Sequence, residues 1–398
     1  MKRTLLLRQS SSIPLVSAAT GLIGATYGLI RLAYGLFLPD IQEDLTLGVA
    51  TAGWISSGAS TVYCLGALLG FVAAVRHARA LVIAAALSAG AGAFGMAASP
   101  DVGSFAVFAI ASSAGAGLAS PALVAVLQCN RSTRDRPSAQ AIVNAGTGPG
   151  LIAAGALALI LLPDWRLAWA IAGTFTVAVA GLVVVVDRKE ARVDADPDLA
   201  PGRDVLPPAS WFTAQWRLVV AALLMGSGSA AVWNYGRTLL VESGSDEVVS
   251  VTAWIALGVG GTAVIATARL VERLGPGIAW IAAVSGIALG TAALAIAPRV
   301  AWLALAACVT FGWGYMAATG ALIVWTAQID SLRAPAGTAL LFITLILGQA
   351  VGATAFGLLI PATTHATAFI AAAMISLFAV APALWRKAEA TAVRQGTV

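Results

Sequence analysis

Apolar residues run through this chain in twelve long stretches, near residues 15–38, 48–75, 80–98, 104–127, 139–162, 166–186, 217–240, 249–271, 278–297, 301–326, 336–360 and 366–385. Each is long enough to cross about 30 Å of hydrocarbon as a helix and too long for a barrel strand. Unpaired backbone groups are too costly in lipid for any other spanning form, so the pattern predicts an all-α integral membrane protein with twelve transmembrane helices. One polar interruption is longer than the rest. From Asp187 to Arg217 the chain mixes acids, bases and four prolines, which predicts a solvated tether. The predicted organisation is an N-terminal six-helix bundle over 1–186, a linker over 187–216, and a C-terminal six-helix bundle with a tail over 217–398.

The two halves repeat one another. Laid over each other at an offset of about 200 residues, Tyr34-Gly35 recurs as Tyr235-Gly236, Trp54-Ile55 with Gly58 recurs as Trp254-Ile255 with Gly258, and Gly115-x-Gly117 is echoed by Gly312-x-Gly314. Pro137, Gly150 and Pro163 map at one constant offset of 198 onto Pro335, Gly348 and Pro361. Three helix-punctuating residues in the same order and register mark a tandem duplication into two pseudosymmetric bundles.

Composition agrees with the solvent that the pattern implies: 59% of residues are hydrophobic and 10% charged, against about 25% charged in a soluble domain. The basic residues then set an orientation. Of the 23 Lys and Arg, 19 fall on the side that carries both termini and the linker, Arg166 and Arg299 fall on the other side, and Arg31 and Arg237 lie inside predicted helices. This bias predicts a multi-pass protein of the cytoplasmic (inner) membrane with termini and linker in the cytoplasm. It also accounts for the net charge of +5 without a nucleic-acid partner, since the bases are scattered over short loops. Lys2, Arg3 and Arg8 before an apolar run imitate a signal peptide, but the run is long, contains Arg31 and lacks a small-residue cleavage site, so it reads as an uncleaved first span. Cys64, Cys129 and Cys308 stand singly and suggest neither disulfides nor a metal site. No catalytic residue, metal cluster or cofactor motif is expected, so an enzyme is not the reading.

Two six-helix halves joined by a long linker resemble the major facilitator superfamily over essentially the whole chain. That family carries a Gly-x-x-x-Asp-Arg-x-Gly-Arg-Arg type signature between helices 2 and 3, and a weaker copy between 8 and 9. Here the second copy is the better preserved: Ala268-Arg269-Leu270-Val271-Glu272-Arg273-Leu274-Gly275 keeps an acid, the following Arg and the Gly. In the first copy Gly70 leads to Ala74 where the acid would stand, and only Arg76 and Arg79 keep the basic character. The resemblance implies a gating role for Glu272 and Arg273, for which an acid near a helix N-terminus and an Arg supplies a physical basis; an ordinary solvated ion pair is the alternative. Asn144-Ala145-Gly146-Thr147-Gly148-Pro149-Gly150 resembles the glycine-rich Gly-Pro motif of the superfamily's exporters and implies a bend at Gly148 and Pro149 that takes part in gating, with close packing glycines as the alternative. The first helix, Tyr27 through Asp40, is similar to that of a YbfB/YjiJ-like branch.

In this architecture the family pattern puts helices 1, 4, 7 and 10 around a central cavity, with 2, 5, 8 and 11 completing its walls. The substrate-binding residues expected on those helices are Arg31, Tyr34, Tyr63, Asn144, Asn234, Tyr235, Trp313, Tyr315 and Gln349. Trp254 and Trp325, near helix ends, read as interfacial belt residues. All 18 carboxylates avoid the middle third of a span, so a coupling proton would use Asp40, Glu242 or Asp330 near a mouth. Arg31 near mid-bilayer must be offset by a partner, by water or by an anionic substrate, whereas Arg237 can snorkel outward beside Glu242.

The expected function is secondary transport of a small organic solute by alternating access, without a cofactor and as a monomer, with export preferred. Organic-anion uptake or exchange through Arg31 is the alternative within transport, and a lipid flippase or non-transporting membrane sensor is the alternative from another class.

The orientation is checked by thiol labelling. In a background without the three native cysteines, Ser210→Cys should react with an impermeant reagent from the inside and Ser245→Cys from the outside; the reverse pattern would defeat both orientation and span count.

Overall fold

Helices account for the chain in the computed structural model, which describes residues 2–130, 133, 137–189, 207–330 and 333–384. Side chains are described from residue 13 onward, except at 71, 75, 128, 137, 138, 140, 141, 189, 268–272, 334 and 335. Twelve helices are long and apolar enough to cross a membrane: α1 Ile13–Leu45, α2 Val49–Ala74, α3 Arg76–Ala98, α4 Val102–Leu127, α5 Ile142–Leu161, α6 Trp165–Arg188, α7 Ala209–Glu242, α8 Glu247–Thr267, α9 Arg273–Ile296, α10 Ala301–Ile329, α11 Ala336–Ala362 and α12 His365–Leu384. They form two compact units, one of Met1–Leu47 with Gly58–Pro207, the other of Gly48–Ser57 with Pro208–Val398.

Within the first unit α1 meets α5 backbone to backbone. A Cβ placed on Gly28 would lie 2.6 Å from the Gly150 backbone, and one on Gly24 would lie 2.9 Å from the Gly146 carbonyl. Only glycine permits that approach. α5 is also broken where its sequence demands. The ring of Pro149 clashes with the carbonyl four residues back, that of Ala145, and the helix opens into a turn at residues 145 and 146 before resuming at Thr147. The second unit repeats the contact: Gly348 and Gly352 of α11 meet the Leu223 and Ser227 carbonyls of α7. Gly115 and Gly117 of α4 likewise face α3 (Ala85, Ala89) and α2 (Tyr63), while Gly312 and Gly314 of α10 face α8 (Leu257) and α9 (Ala283). Gly150 and Gly348 are thus a duplicated contact, whereas the α4 and α10 glycines exchange partners between the two units; in both cases dispersion in lipid rewards close backbone approach where no hydrophobic force joins helices.

The corners between α2 and α3 and between α8 and α9 differ. The first turns at His77 with φ −129° and ψ 29°, which any residue adopts. The second turns at Gly275 with φ 72° and ψ 160°, a combination open only to glycine. This accounts for the glycine in the better-preserved loop copy. Asp101 caps α4 by accepting from the Ser104 amide at 2.9 Å, and that bond holds its carboxyl below the usual carboxylate range.

Three expectations are corrected. The tether is shorter than 187–216: the helix of α6 continues to Lys189 and α7 opens at Ala209, so only 190–206 lie outside the described residues. Asp187, expected in solvent, is fully buried and ion-paired to the Nε of Arg79, whose Nη2 donates to the Asp187 carbonyl at 3.2 Å. The basic remnant of the first loop is therefore bound to the end of α6. Trp254 and Trp325 are 1% and 2% exposed, not belt residues; the Trp325 ring sits edge-on to Trp280, and Trp254 packs beside Gly236. Helix-end position misleads here because these residues face the unit's interior.

The packing argument predicts a contrast. Gly28→Ala forces a methyl group into the α5 backbone, an overpacking cost of about 1–3 kcal/mol, and should lower the Tm of the purified protein. Gly181→Ala, with nothing within 4 Å of the added carbon, should leave it unchanged; equal effects would remove the close contact from the account of stability.

Candidate functional site

In the first unit the polar side chains converge where α1 departs from α-helical geometry. From Gly24 to Arg31 the helix widens into a π turn, closed by the Leu32 amide on the Tyr27 carbonyl at 2.8 Å, five residues back. Gly24 and Gly28 occupy the side of this turn that touches α5, so the bulky residues Tyr27 and Arg31 are displayed toward α2. There the Tyr27 and Tyr63 hydroxyls hydrogen-bond, with rings edge-to-face at 5.7 Å. The Arg31 guanidinium lies 4.8 Å from the Tyr63 ring centroid and its Nη2 donates to Ser60 Oγ at 3.3 Å. Tyr63 is buried, whereas Tyr27 and Arg31 are half-buried. A π bulge in a membrane helix is a local departure that commonly marks a working part, and this one brings a fixed cation, a cation–π platform and three hydroxyls together.

Tyr34 is not part of this group. It stacks on Phe105 at 6.4 Å, and Phe105 meets Trp165 edge-on at 5.8 Å. Asn144 stands at the break in α5, where its carbonyl accepts from the Thr147 hydroxyl at 3.4 Å. Gly148 is buried and Pro149 exposed in the first turn after that break, and their neighbour glycines serve the packing of α5 on α1. Asp40 lines an open recess of about 340 Å³ with Glu43, Asp44, Asp164 and Arg166, where Arg166 pairs with Asp44 and stacks on Trp165.

In the second unit Trp233 of α7 meets Phe311 and Tyr315 of α10 edge-on, at 5.4 and 5.1 Å, and Gln349 of α11 donates to the Tyr315 hydroxyl at 3.0 Å. The Trp233 indole N–H is buried with no acceptor among the described residues. Other expected members go elsewhere. Asn234 bonds back to the Ala230 carbonyl at 2.7 Å, and Tyr235 donates to the Ala353 carbonyl at 2.8 Å with its hydroxyl wedged beside Gly53 and Gly357. Trp313 donates to Thr267 on α8 at 2.9 Å. The start of α2 belongs to this unit, where Ser57 donates to the Ala350 carbonyl at 2.6 Å and meets the Thr354 hydroxyl at 2.6 Å.

Arg237 does not snorkel beside Glu242. It is 2% exposed and gives its Nε to Ser250 at 3.3 Å, while Glu242 pairs with His365. Asp330 caps the end of α10 and pairs with Arg333 at 3.4 Å. Arg273 is exposed at the start of α9, and the Glu272 side chain lies outside the described residues. Reading the sequence alone misses Ser60, Phe311 and His365 as site members, since a serine or phenylalanine in an apolar run carries no local signal. Tyr27 stands one turn before Arg31, and that spacing could have found it.

A major facilitator superfamily model matches residues 20–334. Among curated proteins no match was found. Solved structures share the fold at low identity. The nucleoside transporter NupG has a TM-score of 0.73 at 14% identity, with 94% of this chain and 98% of that one covered. A D-xylose-proton symporter has a TM-score of 0.73 at 16% identity, covering 94% and 97%. A POT family transporter in complex with 5-aminolevulinic acid has a TM-score of 0.73 at 11% identity, covering 93% and 94%.

Proposed function

Because the chain belongs to the major facilitator superfamily and is a membrane transporter, we propose that it moves a small organic solute bearing a carboxylate, phosphate or carbonyl group by alternating access, and that Arg31 recognises that group. One observation carries the proposal: the guanidinium is held over Tyr63 and against Ser60 at the π turn of α1. An Arg far inside a span costs on the order of 2.5–3.5 kcal/mol on insertion scales. The contacts with Tyr63 and Ser60 hold the guanidinium in place, and its planar fork matches a carboxylate, phosphate or carbonyl oxygen in a way a point charge does not. The inner membrane, cytoplasmic termini and monomeric state belong to this proposal.

Export is not retained. The glycine–proline run that suggested it has its explanation in the contact of α5 with α1, and the structures of similar fold include a nucleoside transporter and a xylose-proton symporter. A second reading, a planar neutral solute, is favoured by the cluster of Trp233, Phe311, Tyr315 and Gln349 with its buried indole donor.

The experiment is solute uptake into proteoliposomes from a library of organic anions and neutral ring compounds, followed by Arg31→Lys. Lysine keeps the charge and loses the fork, so substrate binding should weaken by about tenfold, or about 1.4 kcal/mol, with Tm unchanged. Unaltered binding with a lowered Tm would make Arg31 structural and leave the planar solute as the reading.

A further inference from the structure

Of the three carboxylates expected as coupling candidates, Asp40 and Asp330 stand beside arginines or other acids, and Glu242 alone faces a histidine among the described residues. We infer that Glu242 and His365 together form the coupling-proton site of this transporter, at the end of the second unit opposite the linker. The inference rests on the transport reading above and extends it by naming the ion and the residues.

Glu242 is the last residue of α7 and His365 the first of α12, with Nδ1 to Oε2 at 3.0 Å. A contact of that length requires one hydrogen between the two atoms. With Nδ1–H donating to the carboxylate, the proton-accepting atom is Nε2, which is buried with no partner among the described residues. The imidazole is 11% exposed and the carboxylate 55% exposed, so the carboxylate is the part in contact with solvent and the ring the part shielded from it. At this distance the two groups share one hydrogen, so a further proton is held by the pair as a unit.

Among the described residues no competing partner is supplied to Nε2. The elements packed against α12 are α7, α11 and the α8–α9 pair. At this end α7 carries Arg237, which is buried against Ser250. Asp246 caps α8 through the Val248 amide at 2.8 Å, with Glu247 beside it, and Arg299 after α9 donates to the Ser243 carbonyl at 2.6 Å. α11 carries no ionisable residue. Protonation of Nε2 would place a donor in a buried position without an acceptor, which gives the first turn of α12 a reason to move against α7 when the proton binds.

His77 and His365 are the two histidines of the chain, so one substitution isolates the signal. In the full chain with His77→Asn, in lipid nanodiscs, the His365 ring resonances should titrate as the pH is varied, and Glu242→Gln, which removes the facing negative charge, should shift that titration to lower pH. In proteoliposomes, uptake at saturating solute should change at least fivefold between pH 5.5 and 7.5, and both His365→Gln and Glu242→Gln should reduce that change below twofold. A ring that does not titrate, a midpoint unmoved by Glu242→Gln, or variants that keep the native pH profile would each overturn the site. If no solute is moved, the transport reading and the coupling role fail together, and a coupled titration would leave only a proton-binding pair.

Discussion

Backbone meeting backbone is the constraint on which the rest of this structure depends. In hydrocarbon the amides of a helix are bonded within it, and neighbours gain from each other only by dispersion at short range. The chain meets that requirement by deleting side chains where helices cross: Gly24 and Gly28 against Gly146 and Gly150 in one unit, Gly348 and Gly352 against α7 in the other. The π turn lies at this crossing, since Gly24 and Gly28 are part of it. With one side of the turn made of glycine and pressed on α5, its large residues are left to the other side. The placement of Tyr27 and Arg31 against Tyr63 and Ser60 is thus a consequence of packing as well as of chemistry.

Much of this was legible in the sequence. Twelve spans follow from run length, and the tandem repeat follows from glycine and proline register. The matching contacts of Gly150 and Gly348 show why that register is kept. What the sequence conceals is the partner. Asp187 lies in a charged stretch and reads as solvated, yet it ends buried under Arg79 because the helix of α6 runs on to Lys189. Arg237 looks near enough to its helix end to reach water, but its side chain turns to Ser250. Tyr235 shares a dipeptide with Tyr34, and its hydroxyl is fully used on Ala353.

The expected lining residues separate along the same division. Those whose polar atoms find a backbone carbonyl on their own or a neighbouring helix, such as Asn234 and Tyr235, are explained by structure. Those whose polar atoms meet other side chains, such as Arg31 on Ser60 and Gln349 on Tyr315, form small clusters. Sequence pattern marks which helices are polar. It does not distinguish a side chain that closes on a backbone carbonyl from one that meets another side chain, since that depends on the acceptor that tertiary structure brings within about 3 Å.

The two helix corners carry unequal freedom to change. The turn at His77 uses a backbone conformation that every L residue reaches, so substitutions there meet no barrier from the main chain. The turn at Gly275 uses one that a side chain would strain by about 1–3 kcal/mol. After a duplication, drift acts on both copies alike, but only one corner has a stereochemical anchor. Of the two corners, only the one at Gly275 demands a glycine from its backbone, and beside the other Arg79 is tied to Asp187 at the end of α6.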